Sequence, residues 1–188
     1  MRTRNRYGLW LVVGLAAALV GAGLTTAVAS GKRHHGHRPI TFTGSCQGSG
    51  TVTFDPPLTN TPQAITQHAR GRPTCSGSLV DRRGRTHQLS NASVLYLSTE
   101  QGDDVSCPAG IDGGPGALHT HWGNLRFTVS EKRAAALATL SYAGANGGSA
   151  TGVAHPTDDP ATVVAACGGS GLKQAHVDLS LNADSLSG

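Results

Sequence analysis

Large aromatic side chains are scarce in this chain. Of its 188 residues, 4% are Phe, Trp or Tyr, and beyond residue 29 the aromatic residues are only Phe42, Phe54, Tyr96, Trp122, Phe127 and Tyr142. A core so poor in large side chains buries less apolar area per residue than a typical domain of this length, so the fold needs a further source of stability. Catalytic signatures are missing too: there is no Gly-x-Ser-x-Gly nucleophile elbow, no His-Glu-x-x-His, no P-loop and no dinucleotide fingerprint. No Cys-x-x-Cys pair occurs, which weighs against a zinc site.

Charge is absent from Tyr7 through Gly31, after Arg2, Arg4 and Arg6 and before a lead that is basic and rich in histidine. A basic start, an apolar run and Ala27-Val28-Ala29 are the parts of a secretory signal peptide, cleaved near Ser30. The alternative is an uncleaved anchor, since an uncharged stretch of roughly 20 residues can cross a bilayer. The small-x-small site, the Gly and Thr diluting Gly21 to Thr26, and the lack of a second apolar segment favour cleavage. The first cysteine, Cys46, is too distant to carry a lipid anchor, and the separated arginines do not form a twin-arginine signal.

Processing changes the charge balance. Of 15 Lys+Arg, three lie in the basic start and none of the 11 acids do, leaving 12 against 11, a formal +1. Arg70, Arg72, Arg82, Arg83 and Arg85 form the densest cationic stretch, but Asp81 interrupts it and no aromatic residue lies between Arg70 and Arg85 to stack on bases. These read as solvated turns, and no nucleic-acid partner is expected.

The expected organisation is a signal peptide over 1–29, a flexible basic and His-rich lead over 30–38, and a single β-rich domain over 39–188. Cys46, Cys75, Cys107 and Cys167 in an exported chain read as two disulfides. Of the three possible connectivities, Cys46 to Cys75 and Cys107 to Cys167 is the expected one. Chain entropy assigns loops of about 30 and 60 residues roughly 3.5 and 4.3 kcal/mol as upper values. Each cysteine is followed by a glycine within three positions, which hints at a recurring strand-end geometry.

Thr51 to Phe54 and Val177 to Leu181 alternate polar and apolar residues, and Val94 to Leu97 is a short β-prone run. Asp55-Pro56-Pro57 is expected to end a strand, Arg83-Gly84 to turn, and Gly113-Gly114-Pro115-Gly116 to form a loop. Ser130 to Ala136 carries helix formers, yet Ala136, Ala138, Leu140 and Tyr142 alternate, so a turn followed by a strand is expected there. A hairpin is expected with Leu118 to Trp122 and Leu125 to Val129 as its arms and Gly123-Asn124 as its loop. In that register Trp122 faces Leu125, Thr120 faces Phe127 and Leu118 faces Val129. The other face carries His119, His121, Arg126 and Thr128.

His119 and His121 are the weak metal candidates. Two apart on a strand, they project about 7 Å apart on one side and could chelate if a third ligand arrived, though Arg126 opposite His121 disfavours a cation. His34, His35 and His37 in the lead could bind metal adventitiously. Asp103-Asp104 and Asp158-Asp159 read as solvated loop acids rather than a glycosidase pair. Asn91-Ala92-Ser93 is a glycosylation sequon.

The segments Cys46-x-Gly-x-Gly-x-Val-x-Phe54, Pro56-Pro57-Leu58-Thr59, Cys75-Ser-Gly-x-Leu79, Gly147-Gly148-Ser149-Ala150-x-Gly152 and Cys167-Gly-Gly-x-Gly-Leu172 carry a resemblance spanning most of residues 40 to 188. The chain resembles small exported, glycine-rich actinobacterial proteins of unassigned function. That likeness implies a β-rich, two-disulfide fold and no particular activity. The expectation is an all-β antiparallel sandwich or barrel stapled by two disulfides, secreted or in the cell envelope, and monomeric by default. It needs no cofactor, has no membrane contact after cleavage, and binds or supports rather than catalyses. The alternative is a metal-assisted extracellular hydrolase using His119 and His121.

Overall fold

The computed structural model describes residues 38–188 except residue 136; the signal segment 1–29 and most of the lead, with His34, His35 and His37, lie outside the described residues. The described part belongs to one compact unit, Gly36–Gly188, which holds both disulfides and both hydrophobic clusters. In chain order the elements are β1 (Thr41–Leu58), β2 (Gln63–Gly71), β3 (Thr74–Val80), β4 (Thr86–Ser93), β5 (Leu95–Val105), β6 (Ala109–Thr120), β7 (Gly123–Ala134), β8 (Leu137–Gly144), β9 (Ser149–Pro156), α1 (Pro160–Gly168) and β10 (Leu172–Ser187).

Between sandwich and barrel, the fold is a barrel. Every pairing is antiparallel, and β10 pairs with β1 along nearly its whole length, so β1-β2-β5-β6-β7-β8-β9-β10 closes into an eight-stranded ring. Closure leaves the ring itself without a free edge, while β4, outside it, pairs with β3 alone among the described strands. The first half of β1 pairs with β3 and its second half with β2, so the β3–β4 hairpin extends the wall beyond the ring. Where β1 meets β3, Gly44 lies opposite Gly77, both with positive φ, and a Cβ on either would strike the other strand's carbonyl. Only glycine permits that approach.

The disulfides are Cys46–Cys75, joining directly paired residues of β1 and β3, and Cys107–Cys167, tying the β5–β6 connection to α1. The first sits part-way along the wall, near the start of β3, and the second at the end that carries α1. At the end where the described chain starts and finishes, Ile40 and Gly188 exchange backbone hydrogen bonds of 2.9 and 2.8 Å, beside the 81–85 and 121–122 turns. We call this the terminal end, and the other, carrying α1, the helix end. Ile40, Phe42, Leu79, Leu89, Leu118 and Leu125 are buried toward the terminal end, while Phe54, Leu58, Ile65, Val105 and Ala175 form a second cluster toward the helix end.

Several expectations are corrected. The strand through Thr51 to Phe54 does not stop at Asp55: Asp55 still pairs with Thr66, and after a shift in register Leu58 pairs with Leu172. Gly113 to Gly116 is strand, not loop, paired with Ser130 to Phe127 of β7. Gly114 lies so close to Thr99 that a side chain would clash with its carbonyl, and Pro115 falls where the ladder to β5 lapses, between Gly116 and Gly113, so its missing donor costs nothing there. The turn expected in Ser130 to Ala136 comes at its end, at Ala135 with φ 54°; β7 runs on to Ala134, and Ala138, Leu140 and Tyr142 then point inward as the alternation implies.

The hairpin forms with a different register. Its loop is His121-Trp122, and Leu118 pairs with Leu125, His119 with Asn124 and Thr120 with Gly123. Thr120 Oγ1 accepts from the Trp122 N–H at 3.1 Å and donates to the Gly123 carbonyl at 2.7 Å, which closes the turn locally. Trp122 stacks on His87 of β4 at 4.6 Å, a contact that no local signal encodes. Each arm shifts by two residues, so parity survives and Leu118, Leu125, Phe127 and Val129 still face inward. α1 was not expected. It is capped by Asp159, whose carboxylate accepts from the backbone and hydroxyl of Thr162 at 2.9 Å, with Pro160 leading its first turn.

Candidate functional site

The inward positions of β2, β5, β6 and β7 bring together Gln67, Glu100, Asp112, Glu131 and Arg133 between the two hydrophobic clusters. Two cross-strand pairs generate the group: Gln67 lies opposite Glu100, and Asp112 lies opposite Glu131. Like charges directly opposite on one face of a sheet repel. Gln67 Nε2 donates to Asp112 Oδ1 at 3.2 Å and to Glu131 Oε2 at 3.0 Å, while Arg133 Nη2 donates to Glu131 Oε1 at 2.6 Å and to Gln67 Oε1 at 3.0 Å. Arg133 is 3.8 Å from Asp112 and its guanidinium lies over the Phe54 ring. Ser98 donates to Glu100 Oε1 at 2.6 Å.

Donors are too few for three carboxylates. Glu100 Oε2 and Asp112 Oδ2 are buried without a partner, as are Arg133 Nη1 and the Tyr142 hydroxyl. Burial, and then the Glu131 charge, pushes Asp112 up to about 8, against the pull of Arg133. Glu100 is also raised, by burial first, although its hydrogen bond from Ser98 works the other way. The Tyr96 and Tyr142 phenols are pushed well above their usual range, again by burial first. At neutral pH the site therefore holds a proton.

The carboxylates offer oxygens within 4.8 Å of one another, the one grouping of three or more potential metal ligands among the described residues. The donor set opposes a cation there. Gln67 already donates to two of the three acids, Asp112 and Glu131, and Arg133 brings a fixed positive charge to the same two. The enclosed space beside Glu100, Glu131, Tyr96 and Leu140 measures about 40 Å³, enough for roughly two or three waters. Such a network can hold and share a proton, and Arg133 also borders an open hollow of about 370 Å³ beside Pro62 and Ile111.

His119 and His121 are not assembled into a site. His119 is half-buried near the end of β6, opposite Asn124, and His121 is exposed in the turn with its ring edge-on to Trp122 at 5.7 Å. Arg126 lies opposite Ala117, not His121. Asp103 and Asp104 are exposed on β5. Asp158 accepts from the backbone of His176 at 2.6 Å and lies 2.8 Å from its ring, which lowers its carboxyl below the usual range. Asp159 is lowered by its capping of Thr162. His155 and Asp178 approach to 3.9 Å beside Ser180, but among the described residues no hydrogen bond joins Ser180 to His155, so no nucleophile relay is built.

A second carboxylate-centred cluster sits at the terminal end. Asp81 Oδ1 accepts the N–H groups of Arg83 and Arg85, both at 2.9 Å; Oδ2 accepts from Arg85 Nε at 2.9 Å and lies 3.0 Å from His87 Nε2. These partners, His87 foremost, hold its carboxyl well below the usual range although burial opposes them.

The fold and its clusters define a closed, disulfide-stapled antiparallel barrel. No protein family, curated protein or solved structure matches the chain.

Proposed function

We propose that this protein is an exported, non-catalytic barrel module of the extracellular space or cell envelope that acts through its outer surface. The observation that carries the reading is the filled interior. A site for a small organic ligand spans about 300–1,000 Å³, whereas the space enclosed beside Glu100 is about 40 Å³. The larger hollows, about 480 Å³ beside Leu97, Pro115 and Thr128, about 370 Å³ beside Pro62, Ile111 and Arg133, and about 330 Å³ beside Gln47, His155 and Ser180, are open depressions rather than enclosed cavities. Two disulfides support an oxidising destination, as does the signal-like start of the sequence.

The test has two parts. Intact mass of the protein recovered outside the cell is expected to match a start near Ser30 with both disulfides formed; a cytoplasmic chain with four alkylatable thiols overturns the export reading. Incubation of the oxidised protein with chromogenic esters, glycosides and phosphodiesters, with and without zinc, is expected to give no turnover. Zinc-dependent turnover lost in a His119→Gln/His121→Gln variant overturns the non-catalytic reading in favour of a metal-assisted hydrolase.

A further inference from the structure

The two ends of the barrel carry opposite charge. At the terminal end the fold gathers Arg82, Arg83 and Arg85 from the β3–β4 turn, Arg38 beside Gly84, His121 from the β6–β7 turn, and Arg126, whose backbone abuts Gly188. All six are exposed. The acids nearby are Asp81, buried and already engaged by Arg85 and His87, and Asp184, exposed on β10. The helix end collects Asp55, Asp103, Asp104, Asp158 and Asp159 against the exposed Lys132 and Lys173. Arg70 and Arg72, neighbours of the cationic turn in the sequence, stay behind at the β2–β3 junction, about 20 Å away along β3.

We propose that the terminal end is a docking face for an anionic phospholipid membrane surface. The inference rests on the envelope reading above and names the face and partner. Charge complementarity is the first reason: several arginines on one end, where Asp184 is the one exposed acid among the described residues, with five aspartates at the other, orient the molecule in the field of a negative surface. The second is where the rest of the chain attaches. The apolar stretch Tyr7 to Gly31 and the basic Lys32 and Arg33 lead into Arg38, at this end and no other. Arg38 lies seven positions after Gly31, a reach of at most about 25 Å. Whenever the apolar stretch occupies a bilayer, as a signal in transit or as a kept anchor, the cationic end is tethered within that distance of the headgroups. After cleavage the same arginines bind the surface reversibly, which departs from the expectation of no membrane contact.

Flotation of the oxidised chain starting at Ser30 with lipid vesicles tests this. Binding is expected to vesicles containing about one-third phosphatidylglycerol, not to pure phosphatidylcholine, and to vanish at about 0.5 M salt, where surface charges are screened. The Arg38→Gln/Arg82→Gln/Arg83→Gln variant is expected to partition roughly 100-fold more weakly, on the order of tenfold or less per arginine, with its circular dichroism unchanged. Lys132→Gln/Lys173→Gln is expected to bind like the parent. Equal binding to both vesicle types, a triple variant that binds like the parent, or capture by soluble polyphosphate without vesicle binding each overturns the proposal. Vesicle binding does not depend on turnover, so its failure leaves the non-catalytic reading standing, and turnover would not disturb it.

Discussion

Asp81 and Asp112 are both buried aspartates, and the fold treats them in opposite ways. Asp81 sits in a tight turn that aims two backbone N–H groups at one oxygen, with an arginine and a histidine at the other. Asp112 faces a second carboxylate across the ladder, receives one hydrogen bond from Gln67, and leaves an oxygen unpartnered. The first carboxyl is driven below its usual range and the second up to about 8. Burial alone does not set the direction; the number of donors reaching the charged form does. A turn supplies donors from its own backbone, whereas strand backbones inside a barrel are already committed to the ladder.

The largest way to break this contrast is to remove Arg133, the one cation of the interior cluster among the described residues. Arg133→Met leaves Glu131 and Asp112 without their guanidinium and is expected to cost about 3–5 kcal/mol in denaturant melts. A cost under 1 kcal/mol would show that the carboxyls are neutral without it.

A smaller effect sharpens the interior half of the comparison. Because the native state raises the Asp112 carboxyl from 3.8 to about 8, it holds a proton that the unfolded chain releases. Between those values stability therefore falls as pH rises, and it levels off above them. Melts from pH 5 to pH 9 are expected to show this decline, and Asp112→Asn to flatten it by on the order of 2 kcal/mol. A parallel pH profile in the variant would refute the assignment.

Asp81 has the opposite sign. Its lowered carboxyl contributes stability above the ordinary carboxylate range, lost as pH falls through the folded value. Asp81→Asn is expected to lower the melting temperature at pH 7, with the gap to the parent closing below about pH 4. The smallest effect is expected at the surface: in a chain lacking His34, His35 and His37, His119→Gln/His121→Gln should change stability by no more than about 0.5 kcal/mol. Zinc should not raise the melting temperature of that shortened chain, and a zinc-dependent rise that vanishes in the double variant would restore the metal-site alternative.

What could be read from the residues was local. Alternation at Thr51 to Phe54, at Ala138 to Tyr142 and at Val177 to Leu181 follows from the pleat, so strands and their inward faces were legible. The four cysteines, read with the signal-like start, pointed to both bridges. The helix has a faint trace, Asp159-Pro160-x-Thr162, that surrounding turn residues obscure. The hairpin kept its faces but not its register, because Trp122 is seated by His87 from another strand.

Three features belong to the tertiary structure alone. Closure depends on β10 finding β1, a pairing of the first and last described strands that no window of sequence contains. The interior acids are single alternating positions on three different strands, each unremarkable until the ring puts them face to face. The cationic end joins Arg38, Arg82 and Arg126, each 44 positions from the next, while separating Arg72 from Arg82. Strand propensity is a property of a few neighbouring residues; which side chains share an interior or an end is set by the order in which strands pair.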